Sequence, residues 1–375
     1  MLKTLLERLR WRHPETEELA AGRRSLWSRD TVFPPWSPDD LVRRRGLEIY
    51  DRMQTDSQIS ACLTTKKFAV LADGWSVTGA SPDPRDQEAA RFCHWALSEM
   101  RTSVQDVLFC VMDALAKGYS ISEMNFRRVK EGPYRGLVTL DSIKHKDPAL
   151  FDFRTDEYLN VTGLVRLGSD GEPERDLPRE KFVIYTYMPA YEDPRGRSDL
   201  RPCYRHWWVK DVVQRFLAIH LERHGSPVVK GTYRRGTTRH QQEELLRVLE
   251  GIRQETAIVV PEDVTVELME AASRGEQGYL ETLCYHDRQI AKAILGETLT
   301  QEEGSRTGAL ALARVHQDTL RQRVNKVRRD LEETVTRSQV LRALTVLNFP
   351  GAAIPRFSLE GAGGETSIQD RRSDV

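Results

Sequence analysis

The residues whose types and spacing invite chemistry in this chain are few. Cys203 and His206 stand three positions apart, and Cys284 and His286 two apart. If the segments bearing them pack side by side, thiol and imidazole meet as a nucleophile or metal constellation. The plainer reading is two packed cysteines and two packed histidines. His220 and His224 have the i, i+4 spacing of a metal pair, but a histidine at the end of a helix also serves the helix dipole there. Gly304-Ser305-Arg306-Thr307-Gly308 is flanked by glycines and lacks the lysine of a phosphate loop. HExxH, GxSxG and CxxC are all missing from the sequence. Asp39-Asp40 follow Ser37-Pro38 and read as a helix start rather than a general acid and base. The expectation is therefore no catalytic residue, no metal ligand and no cofactor: a mechanical part.

One charge asymmetry stands out. Over Gly308–Leu347 the basic residues are Arg314, Arg321, Arg323, Lys326, Arg328, Arg329, Arg337 and Arg342. The acids are Asp318, Asp330, Glu332 and Glu333, so the segment carries an excess of four positive charges. That face is either solvated and paired with acids of a neighbour, or it makes weak contact with phosphates. No aromatic ladder accompanies it, so base stacking is not indicated. The whole chain of 375 residues balances 56 basic against 56 acidic residues. A protein built to coat nucleic acid is usually clearly basic, so contact with DNA should be local. With 30% charged and 39% hydrophobic residues the chain reads as soluble and globular, long enough for two or three domains. Five scattered cysteines read as reduced thiols, and no stretch approaches the roughly 18–20 apolar residues of a membrane span.

The elements that must position these residues follow from periodicity. Residues 1–37 carry Trp11, Trp27, Phe33 and Trp36 among charges and prolines, and read as an extended arm. A helix is expected from Ser37 to about Met53, another over Asp56–Leu71 with Ile59, Leu63 and Val70 on its apolar stripe, then a strand at Trp75–Thr78. Helices follow at Asp86–Met100 and Val104–Lys117. Strands are expected at Tyr119–Phe126, Leu137–Leu140, Phe151–Arg154, Leu164–Leu167 and Phe182–Tyr187. Residues 38–195 thus form an α+β domain. After a Pro/Gly-rich linker, Leu200–His224 repeats apolar residues at Leu200, Tyr204, Trp208, Val212 and Phe216, with a second stripe beside them, so more than one face should be covered. An insert of strand, helix, strand, strand (Val228–Tyr233, Gln241–Ile252, Thr256–Val260, Val264–Met269) leads to a second helix, Tyr279–Leu295. A polar loop, Glu297–Thr307, precedes a long amphipathic helix, Gly308–Leu347. The tail after Gly361 is Gly- and charge-rich and reads as disordered.

The ordered set of segments resembles the phage portal proteins, specifically the Mu-type portal family. The resemblance is carried by Leu47-Glu48-Ile49-Tyr50, Asp56-Ser57-Gln58-Ile59 and Cys62–Trp75. It continues through Gly196-Arg197-Ser198-Asp199-Leu200-Arg201-Pro202, Trp207-Trp208 and Leu221-Glu222-Arg223-His224-Gly225-Ser226-Pro227. Further along come Tyr285-His286-Asp287, Ile290-Ala291-Lys292-Ala293-Ile294-Leu295-Gly296, Leu299-Thr300 with Gly304, Ala313-Arg314-Val315-His316, Asn348-Phe349 and Pro355-Arg356-Phe357. It implies an α+β portal fold: an N-terminal arm (1–37), a wing (38–195), stem helix 1 (196–225), a small α/β clip (226–277) and stem helix 2 (278–296). A tunnel loop (297–307), a tunnel helix returning to the wing (308–347) and a wing end with tail (348–375) complete it, with the crown short or absent.

The resemblance also implies partners and sites. The protein would be a homo-oligomeric ring, usually of twelve subunits, at a capsid vertex of a virion assembled in the host cytoplasm. Double-stranded DNA would pass through its channel. Its partners would be the terminase large subunit, a head–tail connector and the major capsid protein, and no membrane. Thr300, Gln301, Glu302, Glu303, Gly304, Ser305 and Arg306 would face the DNA. Arg314, Arg321, Arg328 and Arg329 would face DNA or a neighbouring subunit. Leu200, Tyr204, Trp207, Trp208, Val212, Phe216, Leu283, Ile290 and Ile294 would pack the stem and the subunit interface. Arg234, Arg235, Arg239, Glu243 and Arg247 would dock partners on the clip. The competing expectations are a metal-dependent nucleic-acid enzyme, which would want carboxylates clustered at a strand end, and a scaffold or adaptor without DNA contact.

Overall fold

The structure is a computed structural model that describes residues 40–156, 160–168, 171–191, 193–224, 228–232, 236–251, 265–269, 274–296 and 309–359. The chain divides into two units, one made of residues up to Tyr204 together with those from Ile290 onward, the other of Arg205–Gln289.

The first unit opens with α1 (Asp40–Arg45) and α2 (Glu48–Met53). The single helix expected here is split because Gly46 sits at φ +72°, a conformation that closes one helix before the next begins. Helix α3 (Ser57–Val70) starts where Asp56 accepts hydrogen bonds from the amides of Gln58 and Ile59 at 2.9 and 3.1 Å. Strand β1 (Ser76–Thr78) leads to α4 (Pro84–Ser98), which has proline at its first position and Asp83 as cap. Then come α5 (Val104–Val111) and α6 (Ala114–Lys117), parted by a turn at Met112-Asp113.

Seven strands have then been reached in chain order by adding β2 (Tyr119–Arg128), β3 (Val138–Lys146), β4 (Phe151–Thr155), β5 (Val161–Leu167), β6 (Pro173–Leu177) and β7 (Phe182–Thr186). The last six of them form two antiparallel three-stranded sheets, ordered β3-β2-β7 and β4-β5-β6. Strand β6 was not expected: Pro-Glu-Arg-Asp-Leu has no β-forming residue, and pairing with β5 creates the strand.

The expected apolar faces are the core. Ile59, Leu63 and Val70 of α3 are buried, as are Ala89, Phe92, Cys93, Ala96 and Leu97 of α4 and Met100 just beyond it. Burial pushes the Cys93 thiol up to about 12.

The second unit holds most of α7 (Tyr204–His224), then β8 (Val228–Thr232), α8 (Arg239–Gly251), β9 (Thr265–Met269) and most of α9 (Arg274–Ile294). Strands β8 and β9 pair antiparallel, Val228 opposite Met269. Helix α7 begins four residues later than expected, because Leu200–Cys203 form turns around Pro202. Helix α9 begins five residues earlier. The expected strand Thr256–Val260 and the loop 297–307 lie outside the described residues.

Back in the first unit, α10 (Ala309–Arg329) passes into a π-helical stretch, Asp330–Leu341, and then α11 (Arg342–Asn348). Sequence periodicity predicts one continuous α-helix here. The wider turn is accompanied by i−5 contacts: Ser338 Oγ donates to Glu333 O and Gln339 Nε2 to Thr334 O, both at 2.6 Å. It also brings Gln339 to β7, where its Oε1 accepts from Ile184 N and its Nε2 donates to Ile184 O, each at 2.8 Å. Strand β10 (Arg356–Ser358) then pairs with β1.

One buried charge ties these segments together. Lys66 on α3 is fully buried, with its Nζ 2.6 Å from Asp199 Oδ2, 3.1 Å from the Tyr187 hydroxyl and 3.4 Å from the Ile294 carbonyl at the end of α9. Burial pushes the Asp199 carboxyl above its usual range although Lys66 draws it down. Replacing Lys66 by Met leaves Asp199 buried without its cation, and removing one partner of a buried pair typically costs about 3–5 kcal/mol. Equilibrium urea unfolding of Lys66→Met should show a loss of that order. A midpoint equal to that of the unaltered chain would mean the pair is not a structural tie.

Candidate functional site

The two longest helices around the insert, α7 and α9, carry the surfaces of interest. Their facing sides are satisfied within the second unit. His206 Nδ1 lies 3.0 Å from His286 Nδ1, and Lys210 Nζ lies 2.5 Å from Asp287 Oδ1 with the lysine almost fully buried. Tyr285 meets both imidazoles edge-on. At 3.0 Å one imidazole donates its Nδ1–H and the other accepts, so the contact requires the accepting ring to be neutral. Burial lowers the pKa of both, and for His206 the neighbouring His286 lowers it further.

The thiol–imidazole pairs suggested by the sequence are not assembled. Cys203 is buried, its Sγ donates to the Asp199 carbonyl at 3.4 Å, and burial raises its pKa, which makes it an inert core thiol. Cys284 is exposed. Among the described residues no three His, Cys, Asp or Glu side chains converge as metal ligands.

Several apolar side chains of the same helices are exposed among charged ones. Leu200, Ile290 and Ile294 are fully buried, while Tyr204, Trp207, Val212 and Leu283 are half-buried. Trp208 is 53% and Phe216 54% exposed, and Ile219, Leu221, Leu280 and Tyr285 are exposed with them. Single exposed apolar residues are ordinary, but two helices that present a tryptophan, a phenylalanine and aliphatics together mark an interaction surface.

At the far end of α9, Arg323 of α10 donates from Nη1 to the carbonyls of Ala293 and Ile294 at 2.9 and 3.1 Å, answering the unpaired carbonyls and negative dipole of the helix end. Of the basic residues singled out on this helix, Arg321 and Arg329 are exposed. Arg328 is held inside the chain, pairing with Asp73 at 3.1 Å and donating to Ala69 O. The side chain of Arg314, the loop residues Thr300–Arg306 and the insert residues Arg234 and Arg235 lie outside the described residues. On α8, Arg239, Glu243 and Arg247 are exposed, with Arg239 Nε 3.4 Å from Glu243 across one turn.

Sequence reading missed Lys66, Asp199 and Arg323 as the tie around the end of α9. One signal was present: Lys66 falls on the stripe of Ile59, Leu63 and Val70, where a charge has no place unless a partner meets it.

The two long helices offer exposed apolar side chains, and among the described residues no cluster of three metal-ligating side chains is assembled. The family described as the portal protein of Mu bacteriophage matches residues 47–371, and the chain belongs to that family, a structural family rather than an enzymatic one. It is 28% identical over 331 residues to the Mu-like prophage FluMu protein gp29 of Haemophilus influenzae, covering 87% of this chain and 62% of that protein. It is 25% identical over 344 residues to the portal protein of Escherichia phage Mu, covering 88% of this chain and 64% of that one. The chain thus spans a little under two thirds of the length of these relatives. A chain solved in the neck of a native gene transfer agent particle, computed with C12 symmetry, has the same fold at 11% identity, with a TM-score of 0.57 over 91% of this chain and 89% of that one.

The histidine pair generates a pH prediction. Both pKa values are lowered on folding, so the folded state binds fewer protons than the unfolded one, and stability falls as pH drops through the unfolded value near ~6.5. Protection of the α7 and α9 amides near His206 and His286 against hydrogen exchange, corrected for the intrinsic pH dependence of exchange, should fall between about pH 7 and 5, and His206→Asn should flatten that dependence. An unchanged profile in the variant would assign the lost protection to other groups.

Proposed function

We propose that the chain is one subunit of a portal ring at a virion vertex, lining the channel through which double-stranded DNA enters and leaves. The match to the portal family over residues 47–371 carries this reading. The exposed apolar sides of α7 and α9 support it, because a ring covers them with neighbouring copies. Twelve subunits are proposed, in keeping with the C12 symmetry of the neck that shares the fold.

In this reading residues 38–195 are the wing, with the end of the chain returning to it. Helices α7 and α9 are the stem, with Leu200, Tyr204, Trp207, Val212, Leu283, Ile290 and Ile294 packing it and Trp208 and Phe216 reaching the next subunit. Residues 226–277 are the clip, where Arg234, Arg235, Arg239, Glu243 and Arg247 meet the packaging terminase and later the head–tail connector. The loop 297–307 faces DNA through Thr300–Arg306, and Arg314, Arg321 and Arg329 line the channel or the subunit boundary. The wing meets the major capsid protein. Zero net charge suits a conduit: each phosphate neutralised adds affinity, and a channel that binds DNA tightly would stall it.

Purified full-length chain should form annular particles in negative stain and a single large oligomer by native mass spectrometry. A monomer or dimer at every concentration would overturn the ring. Deleting Gln301–Arg306 should leave ring assembly intact and impair DNA packaging or retention. Loss of the ring in that variant would make the loop structural instead.

A further inference from the structure

The second unit, Arg205–Gln289, has little core of its own. Among its described residues the buried side chains are those of Lys210 and His286, and no apolar side chain is buried there. A small unit that buries so little apolar surface needs another tie, commonly a disulfide, a metal ion or a neighbouring chain. Its cysteine, Cys284, is free and exposed, so a disulfide does not supply that tie.

What α7 and α9 bring together instead is a pair of imidazoles. His206 and His286 are 80 residues apart in sequence, yet their Nδ1 atoms lie 3.0 Å apart, with ring centroids at 5.2 Å and planes tilted by 48°. Two ring nitrogens thus converge on one point, which a single shared proton fills. Imidazole nitrogen suits zinc, copper and nickel, and it ligates in its neutral form. Zn–N bonds of about 2.0–2.1 Å enclosing a tetrahedral angle set two ligand nitrogens about 3.3 Å apart. The pair is a few tenths of an ångström tighter than that, a difference that a slight turn of either ring removes.

The surroundings admit a cation. His206 is half-buried, so solvent reaches the pair from its side. The charges that act on the two rings are Arg205 on α7 and Asp287 on α9, of opposite sign. Lys210 is spent on Asp287 at 2.5 Å. Arg205 is exposed, where water screens its repulsion.

We propose that His206 and His286 chelate a divalent transition-metal ion of the zinc class, with water completing its coordination, and that the ion staples α7 to α9. The ion replaces the proton that the two rings share. Both ligands belong to one subunit, so the site stands or falls independently of the portal-ring reading. A single pair of protein ligands, where a structural zinc site has four, sets the affinity on the order of micromolar.

The test uses the full-length chain, stripped with EDTA and dialysed against Zn2+ alone at stepped free concentrations. The unaltered chain should take up one ion per subunit, with a midpoint at roughly micromolar free Zn2+. His206→Asn and His286→Asn should each raise that midpoint at least about tenfold. His220→Asn breaks the other spaced histidine pair, His220 and His224, and should leave the midpoint within about twofold. An unaltered chain that takes up no Zn2+ below about a hundredfold of the expected midpoint overturns the site, and so does uptake that both histidine variants retain. A second measurement needs no variant. Zn2+ at about a hundred times its midpoint should raise the hydrogen-exchange protection of amides around His206 on α7 and His286 on α9, by up to about a hundredfold, and EDTA should reverse it. Zn2+ that binds while protecting neither helix sits elsewhere, and the staple is overturned.

Discussion

An ammonium group cannot stand in a protein interior alone, and Lys66 is fully buried. Much of the first unit is arranged around that requirement. Asp199 supplies the charge, Tyr187 a hydroxyl and the end of α9 a carbonyl. Those three groups come from a strand end, the turns before α7 and the last turn of α9, so one cation joins three distant stretches of the first unit. Arg323 closes the arrangement from α10, and Arg328 with Asp73 binds the same helix to α3. A pair of this kind contributes more to a unique geometry than to net stability, because both ions lose their water.

The portal reading gives the exposed surfaces a common purpose. Inside the second unit the polar groups of α7 and α9 face one another and are satisfied, histidine with histidine and lysine with aspartate. Outside, the same helices leave Trp208, Phe216 and their neighbours uncovered. Exposed tryptophan and phenylalanine among exposed charges such as Asp211 and Arg215 fit a part that finishes its core in company.

Much of this was legible in the sequence, and the limits have physical causes. Periodicity located α3, α4 and α5 because each buries one face, although α4 starts at Pro84 behind its Asp83 cap, two residues before the expected Asp86. Strand β6 was illegible because it has no β-forming side chain and exists by pairing alone. The π-helical stretch was hidden because its apolar residues, Leu331, Val335, Val340 and Leu341, fit an α-period closely enough. The Lys66 tie showed as an anomaly on an apolar stripe, but its partners are over a hundred residues away in sequence, and no local pattern names them. The histidines were noticed, and the plainer reading of packed histidines fits: His206 meets His286 across the two helices, while Cys284 is exposed rather than packed.

The amide of Gln339 has a further consequence. Strand β7 borders its sheet, and a border strand ordinarily displays backbone groups that any foreign strand can extend, the common origin of fibrous aggregation. Gln339 occupies both the N–H and the C=O of Ile184 and so acts as a one-residue strand that cannot be lengthened. In the proposed ring, several copies of this chain would stand side by side. At that border the fold is protected from polymerising through its backbone, and association is left to side chains, which can be selective about partner and angle.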